Sequence, residues 1–145
     1  MSIATVRAAA AAKALTVTGI VSAPTDIPGH LNAADLPCMV VFAGPAAWSH
    51  ETFGPAGETC RRSYFLRFYV APIVNGIAGE KYAEAEVLLQ AAGAAFLTAT
   101  DLEGSVFHLW TVNDGGIVEN LAYGPPTAEQ AYLGFVLTLS AQTWE

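Results

Sequence analysis

At 145 residues the chain is the size of one domain with its own core. Only 13% of it is charged and 53% is hydrophobic, so either small residues make up much of the surface or partner subunits cover part of it. The formal net charge of −7, thirteen acids against six Lys and Arg, argues against gaining affinity by displacing counterions from phosphates and against docking on an anionic membrane. It leaves open a surface past which nucleic acid slides without sticking.

In chain order, Ser2 caps a helix predicted to run to about Ala14. Its alanines favour helix, and Ile3, Val6 and Leu15 supply a modest apolar face. This start lacks the leucine-rich core of a signal peptide, and no apolar run reaches membrane length, so the expectation is a chain that stays in the cytosol where it is made. LTVTGIV (15–21) reads either as a short strand or as the helix exit. Residues 22–37, SAPTDIPGHLNAADLP, form a long connection in which Pro24, Pro28 and Pro37 cannot donate to a ladder and Gly29 and Asn32 permit turns. Loops of this length are uncommon in compact domains and often functional.

Residues 39–42 are predicted to be a buried strand. Residues 43–59 read as a second long loop, with Trp48 and Phe53 among glycines and prolines. Those two aromatics either fold back on the core or anchor a neighbouring molecule. The next stretch, RRSYFLRFYVAP from Arg61 to Pro72, alternates as a strand does, yet both parities carry large side chains. Tyr64, Leu66, Phe68 and Val70 lie on one, and Ser63, Phe65, Arg67 and Tyr69 on the other. A strand with one wet face carries large apolar residues on one parity only. The expectation is that another molecule covers part of the second face, at Phe65, Arg67 and Tyr69.

A helix is predicted over residues 80–97, with Tyr82, Ala85, Leu89, Ala92 and Phe96 as its stripe and Glu80 and Glu84 complementing the dipole at its start. Residues 106–112 read as a strand, Asp114-Gly115-Gly116 as a turn, and residues 117–123 as the antiparallel return. Residues 132–141 give the clearest alternation, Leu133, Phe135, Leu137 and Leu139 opposite Tyr132, Gly134, Val136, Thr138 and Ser140. Helix, strands, helix, strands is not the strict alternation of a parallel fold. The fold class is therefore α+β: a single domain, mainly antiparallel sheet, with two principal helices on one face.

The residues offer no catalytic set. His30, His50 and His108 are not spaced with carboxylates or cysteines as metal ligands are, and no nucleophile elbow or phosphate-binding glycine motif is present. Asp101 and Glu103 read as solvated loop acids. Cys38 and Cys60 read as small buried residues, a disulfide being allowed but not required. Arg61, Arg62 and Arg67, half of the basic residues, either pair with acids across the sheet or a subunit boundary or form an anion site.

The sequence of features is an N-terminal helix, a Pro-rich loop, LPCMVVFAGP, then RSYFLRFYVAPIVNGIAGEKYAEAEVLLQ, and finally YGPPTAEQAYLGFVLTLSAQTWE. Over nearly the whole chain this layout resembles the small tail-completion proteins of tailed bacteriophages, the tail terminators and related neck proteins. The resemblance implies a virion protein, assembled in the host cytoplasm, that forms a ring, commonly of six copies, on the head-proximal end of the tail tube. The ring stops tube polymerisation and docks head-completion or stopper proteins, by binding and without catalysis, cofactor or metal. DNA passes through an acidic lumen without specific binding. The interface residues expected are Trp48, Phe53, Arg61, Phe65, Arg67 and Tyr69. A head–tail connector or stopper is the nearest alternative, and would be richer in helix; a tube subunit would need a sheet that closes into a continuous barrel. From another class, a small-ligand-binding α+β domain would place its pocket between the helix at Tyr82–Phe96 and the sheet. An enzyme is the remaining alternative, with no reaction that the residues name.

Overall fold

The computed structural model describes residues 3–50, 58–73, 79–98, 108–124 and 130–144. They form helix α1 (Ile3–Ala14), a 3-10 turn (Ala33–Asp35), strands β1 (Cys38–His50) and β2 (Glu58–Pro72), helix α2 (Gly79–Leu97), and strands β3 (His108–Tyr123) and β4 (Gln130–Trp144). The strands make one antiparallel sheet in the order β1-β2-β4-β3. Both helices pack on the same face, which is the α+β single-domain arrangement predicted from element order.

The period-2 pattern of β2 and β4 decides what meets the helices. Tyr64, Leu66 and Phe68 of β2 and Leu133, Phe135, Leu137 and Leu139 of β4 share one buried cluster with Val6, Ala10 and Ala14 of α1 and Ala85, Leu88, Ala92 and Phe96 of α2. The Phe68 and Phe135 rings stack at 4.6 Å and 16°. Helix α1 is buried through its alanines, whose small side chains let the helix backbone lie close to the sheet. Ile3 and Leu15, expected on its apolar face, lie at the helix ends and are exposed, Leu15 by 52%. On α2 Leu88 joins Ala85, Ala92 and Phe96 in the buried core where Leu89 was expected, Leu89 is only partly buried, and Tyr82, in the first turn, is exposed.

Of the two readings left open for residues 15–21, the helix exit holds: they are turn, with Val17 buried, and an isolated parallel bridge then joins Ser22 to Cys38. Two sequence expectations change. Residues 43–50 and 58–59 are not loop but the arms of a long hairpin: Ala47, Trp48 and Ser49 pair with Arg61, Cys60 and Thr59. Gly44 and Pro45 fit because β1 is an edge strand and its register shifts between Ala43 and Ala46, where the missing proline N–H costs no ladder bond. Asp114-Gly115-Gly116 is a bulge, not a hairpin turn. Asp114 pairs with Leu137 and Ile117 with Phe135, so the strand continues in one direction to Tyr123. Gly116, at φ +77°, donates its N–H to Asp114 Oδ1 at 2.9 Å and absorbs the extra residue. Local turn chemistry lost here because β4 offers an unbroken partner along the whole of β3. Phe53, Asp101, Glu103 and the first residues of the predicted 106–112 strand lie outside the described residues.

Candidate functional site

The face of the sheet away from the helices carries Cys38, Val40 and Phe42 of β1, Phe65, Arg67 and Tyr69 of β2, Tyr132 and Val136 of β4, and Val118, Leu121 and Tyr123 of β3. It divides into two halves with different cover.

One half is closed by the chain itself. The Pro-rich connection folds under the start of β1, so that Leu31 and Leu36 pack against Cys38, Val40 and Tyr69. It is tied at both ends and in its middle. Val21 N–H donates to Pro37 O at 2.8 Å, Met39 N–H to Ser22 O at 3.1 Å, and the Arg7 guanidinium to Thr25 O at 2.9 Å. Ser22 Oγ donates to Asp35 O at 2.9 Å, and the Tyr123 hydroxyl donates to Pro28 O. Tyr69, expected at an intermolecular interface, is instead 0% exposed. Tyr123 and Tyr132 meet its ring edge-on at 5.2 and 5.4 Å, and its hydroxyl donates to Ala122 O at 3.4 Å. Burial raises the Tyr69 pKa, while the hydrogen bond and charge of Arg67 pull it back.

The other half is open. Phe42, Phe65, Arg67, Val136, Thr138 and Ser140 are only half-buried, and Arg61 is exposed. The Arg67 guanidinium lies over the Phe42 ring, 4.8 Å from its centroid. Phe65 is partly sheltered by Gly44, where a Cβ would stand 2.6 Å from the Phe65 ring. Of the residues expected at an interface, Arg61, Phe65 and Arg67 therefore share an accessible face. Trp48 is 55% exposed but pairs with Cys60 on the helix side of the sheet. Arg62 also projects to that side, and its Nη1 donates to Gly44 O at 2.9 Å. Sequence reasoning missed Phe42 on the open half and Tyr123 on the closed one. Parity with Cys38 and Val40 would have placed Phe42; nothing local links Tyr123 to Pro28, 95 residues away.

A separate cleft at the connection, about 330 Å³ in volume, has Ser22, His30, Asp35 and Cys38 in its lining. Burial and the Asp35 carboxylate raise the Cys38 thiol to about 11, the opposite of what a nucleophilic cysteine needs. Both cysteines are buried and not disulfide-bonded. Because the thiol must stay neutral inside the fold, Cys38 stabilises fully below pH 9.0, its unfolded value, and loses on the order of 2–3 kcal/mol as pH rises to about 11. Urea unfolding at pH 8 and 10 is expected to show about half of this fall in the native chain and a smaller one in Cys38→Ala; equal falls would contradict it.

On α2, Ala85, Leu88, Ala92 and Phe96 are packed into the core shared with the sheet, and an outer groove runs along Thr18, Gly19, Glu80 and Val87. Among the described residues, no three of His, Cys, Asp and Glu group as metal ligands, and no helix is long and apolar enough to cross a membrane. The chain matches no protein-family model and no curated protein.

Proposed function

We propose that the chain is a structural virion protein, a tail terminator that forms a ring at the head-proximal end of a phage tail tube, ends tube polymerisation and joins the tail to head-completion proteins. The observation that carries this reading is the open half of the sheet, where Phe42, Phe65 and Val136 stand beside Arg61 and Arg67 on a chain of net charge −7. The helix–hairpin–helix–hairpin order agrees with the layout of the resemblance. A closed ring needs two different patches that fit each other. The second is the outer surface of α2, where Val87 is 66% exposed and Leu97 69%, and where Glu80 and Glu86 are also exposed. Apolar residues meet apolar residues in this pairing, and the arginines of one copy face the acids of the next. The lumen is acidic and lets DNA through without capture.

The test is the mass of the purified chain over a range of concentrations, with negative-stain images of the same fractions, alone and mixed with tail tubes. Closed rings are expected, free or on tube ends. Phe65→Glu and Val87→Glu are each expected to weaken association at least about tenfold, the cost of placing an unpaired charge in an interface, with little change in melting temperature. A monomer under every condition, tubes included, would sink the reading.

A further inference from the structure

Where the closed and open halves of the sheet face away from the helices meet, a cleft of about 260 Å³ sits between the Ile27–Pro28–Gly29 segment, Phe42, Arg67 and Tyr123. Its walls are held in place. The Tyr123 hydroxyl bonds Pro28 O and so fastens this segment to the end of β3, and Arg7 holds the same connection at Thr25. Its floor is the sheet. The guanidinium of Arg67 lies over the Phe42 ring, 4.8 Å from its centroid, and hydrogen-bonds the Tyr69 side chain; a guanidinium has five N–H donors, so others remain for a ligand. No described carboxylate stands within ion-pair distance of it; Lys81, by contrast, has Glu84 at 3.2 Å. The cleft thus holds an oriented cation between aromatic walls without a resident anion among the described residues.

We propose that this cleft is a carboxylate socket. It takes a carboxylate carried on a small flat or apolar body, with Arg67 forming the paired hydrogen bonds and Phe42 and Tyr123 enclosing the body. The volume falls just below the roughly 300–1,000 Å³ of small-molecule sites, which suits one acidic side chain or a small organic acid and is too small for a nucleotide. The carboxylate comes either from a free acid or from a polypeptide, and the chemistry of recognition is the same. The socket does not rest on the tail-ring reading, because a monomer can have it and a ring can lack it.

The experiment follows backbone amide shifts of the intact chain during titration with phenylacetate and with a capped Phe-Glu dipeptide. The neutral counterparts are phenylacetamide and capped Phe-Gln. Saturating shifts centred on Phe42, Tyr123 and Gly124 are expected for at least one carboxylate, with a dissociation constant on the order of 1 mM for so few atoms. Arg67→Met keeps the stem over Phe42 and is expected to weaken binding at least about tenfold; Arg67→Lys keeps the charge but not the fork and is expected to fall between. Saturation by phenylacetate assigns the site to free acids, and saturation by the dipeptide alone assigns it to a polypeptide carboxylate. The socket is wrong if neither carboxylate saturates by about 50 mM, if the neutral counterparts bind equally well, or if a folded Arg67→Met chain binds as the native one does.

Discussion

Gly134→Ala is expected to destabilise the fold by about 3–5 kcal/mol, although the added group is one methyl. Strand β4 is hydrogen-bonded on both sides, and at this position its neighbours are Tyr69 and Val118. The register of β2 shifts between Tyr69 and Ala71, and the backbone there approaches so closely that a Cβ on residue 134 would run into the carbonyl oxygen of Phe68. The same Cβ would stand 3.2 Å from Leu121 Cδ2. The Leu121 side chain can yield, but the Phe68 carbonyl is backbone, so relief requires moving a central strand and its ladder bonds. Gly93 on α2 provides the control. Nothing lies within 4 Å of a Cβ there, and Gly93→Ala is expected to stabilise by about 0.5–1 kcal/mol through helix propensity. Urea unfolding of the two variants should therefore move in opposite directions. A Gly134→Ala chain within about 1 kcal/mol of the native one would mean that the close approach is not there.

Phe135→Ala is expected to cost about 3–5 kcal/mol, a large share of the 5–15 kcal/mol that holds an ordinary domain together. Phe135 is fully buried at the centre of β4, pairs with Phe68 across β2 and stacks on it. Truncation removes the buried ring area and leaves a cavity between sheet and helices that neighbours on two rigid strands fill poorly. Phe68→Ala should cost a similar amount. The double variant should cost less than the sum by about 0.5–1.5 kcal/mol, the part belonging to the stacked pair. A cost below about 1.5 kcal/mol for Phe135→Ala would show that the helices settle onto the sheet and that the core is less rigid than its packing implies.

Much of the scaffold was legible because its signals are local. The 3.6-residue period placed α2, and the period-2 pattern picked out the inward residues Tyr64, Leu66, Phe68 and Val70 of β2 and Leu133, Phe135, Leu137 and Leu139 of β4. Errors fell where a local signal met a long-range partner. Gly44-Pro45 and Asp114-Gly115-Gly116 have the composition of turns. In the fold they are irregularities within strands, because β2 and β4 supply ladder partners on either side and that pairing outweighs turn preference. The candidate site was half visible. The doubled apolar parity of Arg61 to Pro72 marked the face, but parity is silent about what covers it.

The sequence by itself determined the fold class, the coarse order of helix, strands, helix and strands, the inward faces of β2 and β4, the low charge and the presence of a second face too apolar to be left wholly wet. Each follows from composition or from a period that can be counted along the chain. Only the tertiary structure decided how that second face is shared: the Pro-rich connection closes over Tyr69, while Phe65 and Arg67 remain accessible. That division depends on where an irregular segment, without a period of its own, is tied down by single hydrogen bonds to residues far away in the chain, such as Tyr123 to Pro28. Contacts of that kind leave no pattern in the neighbouring residues.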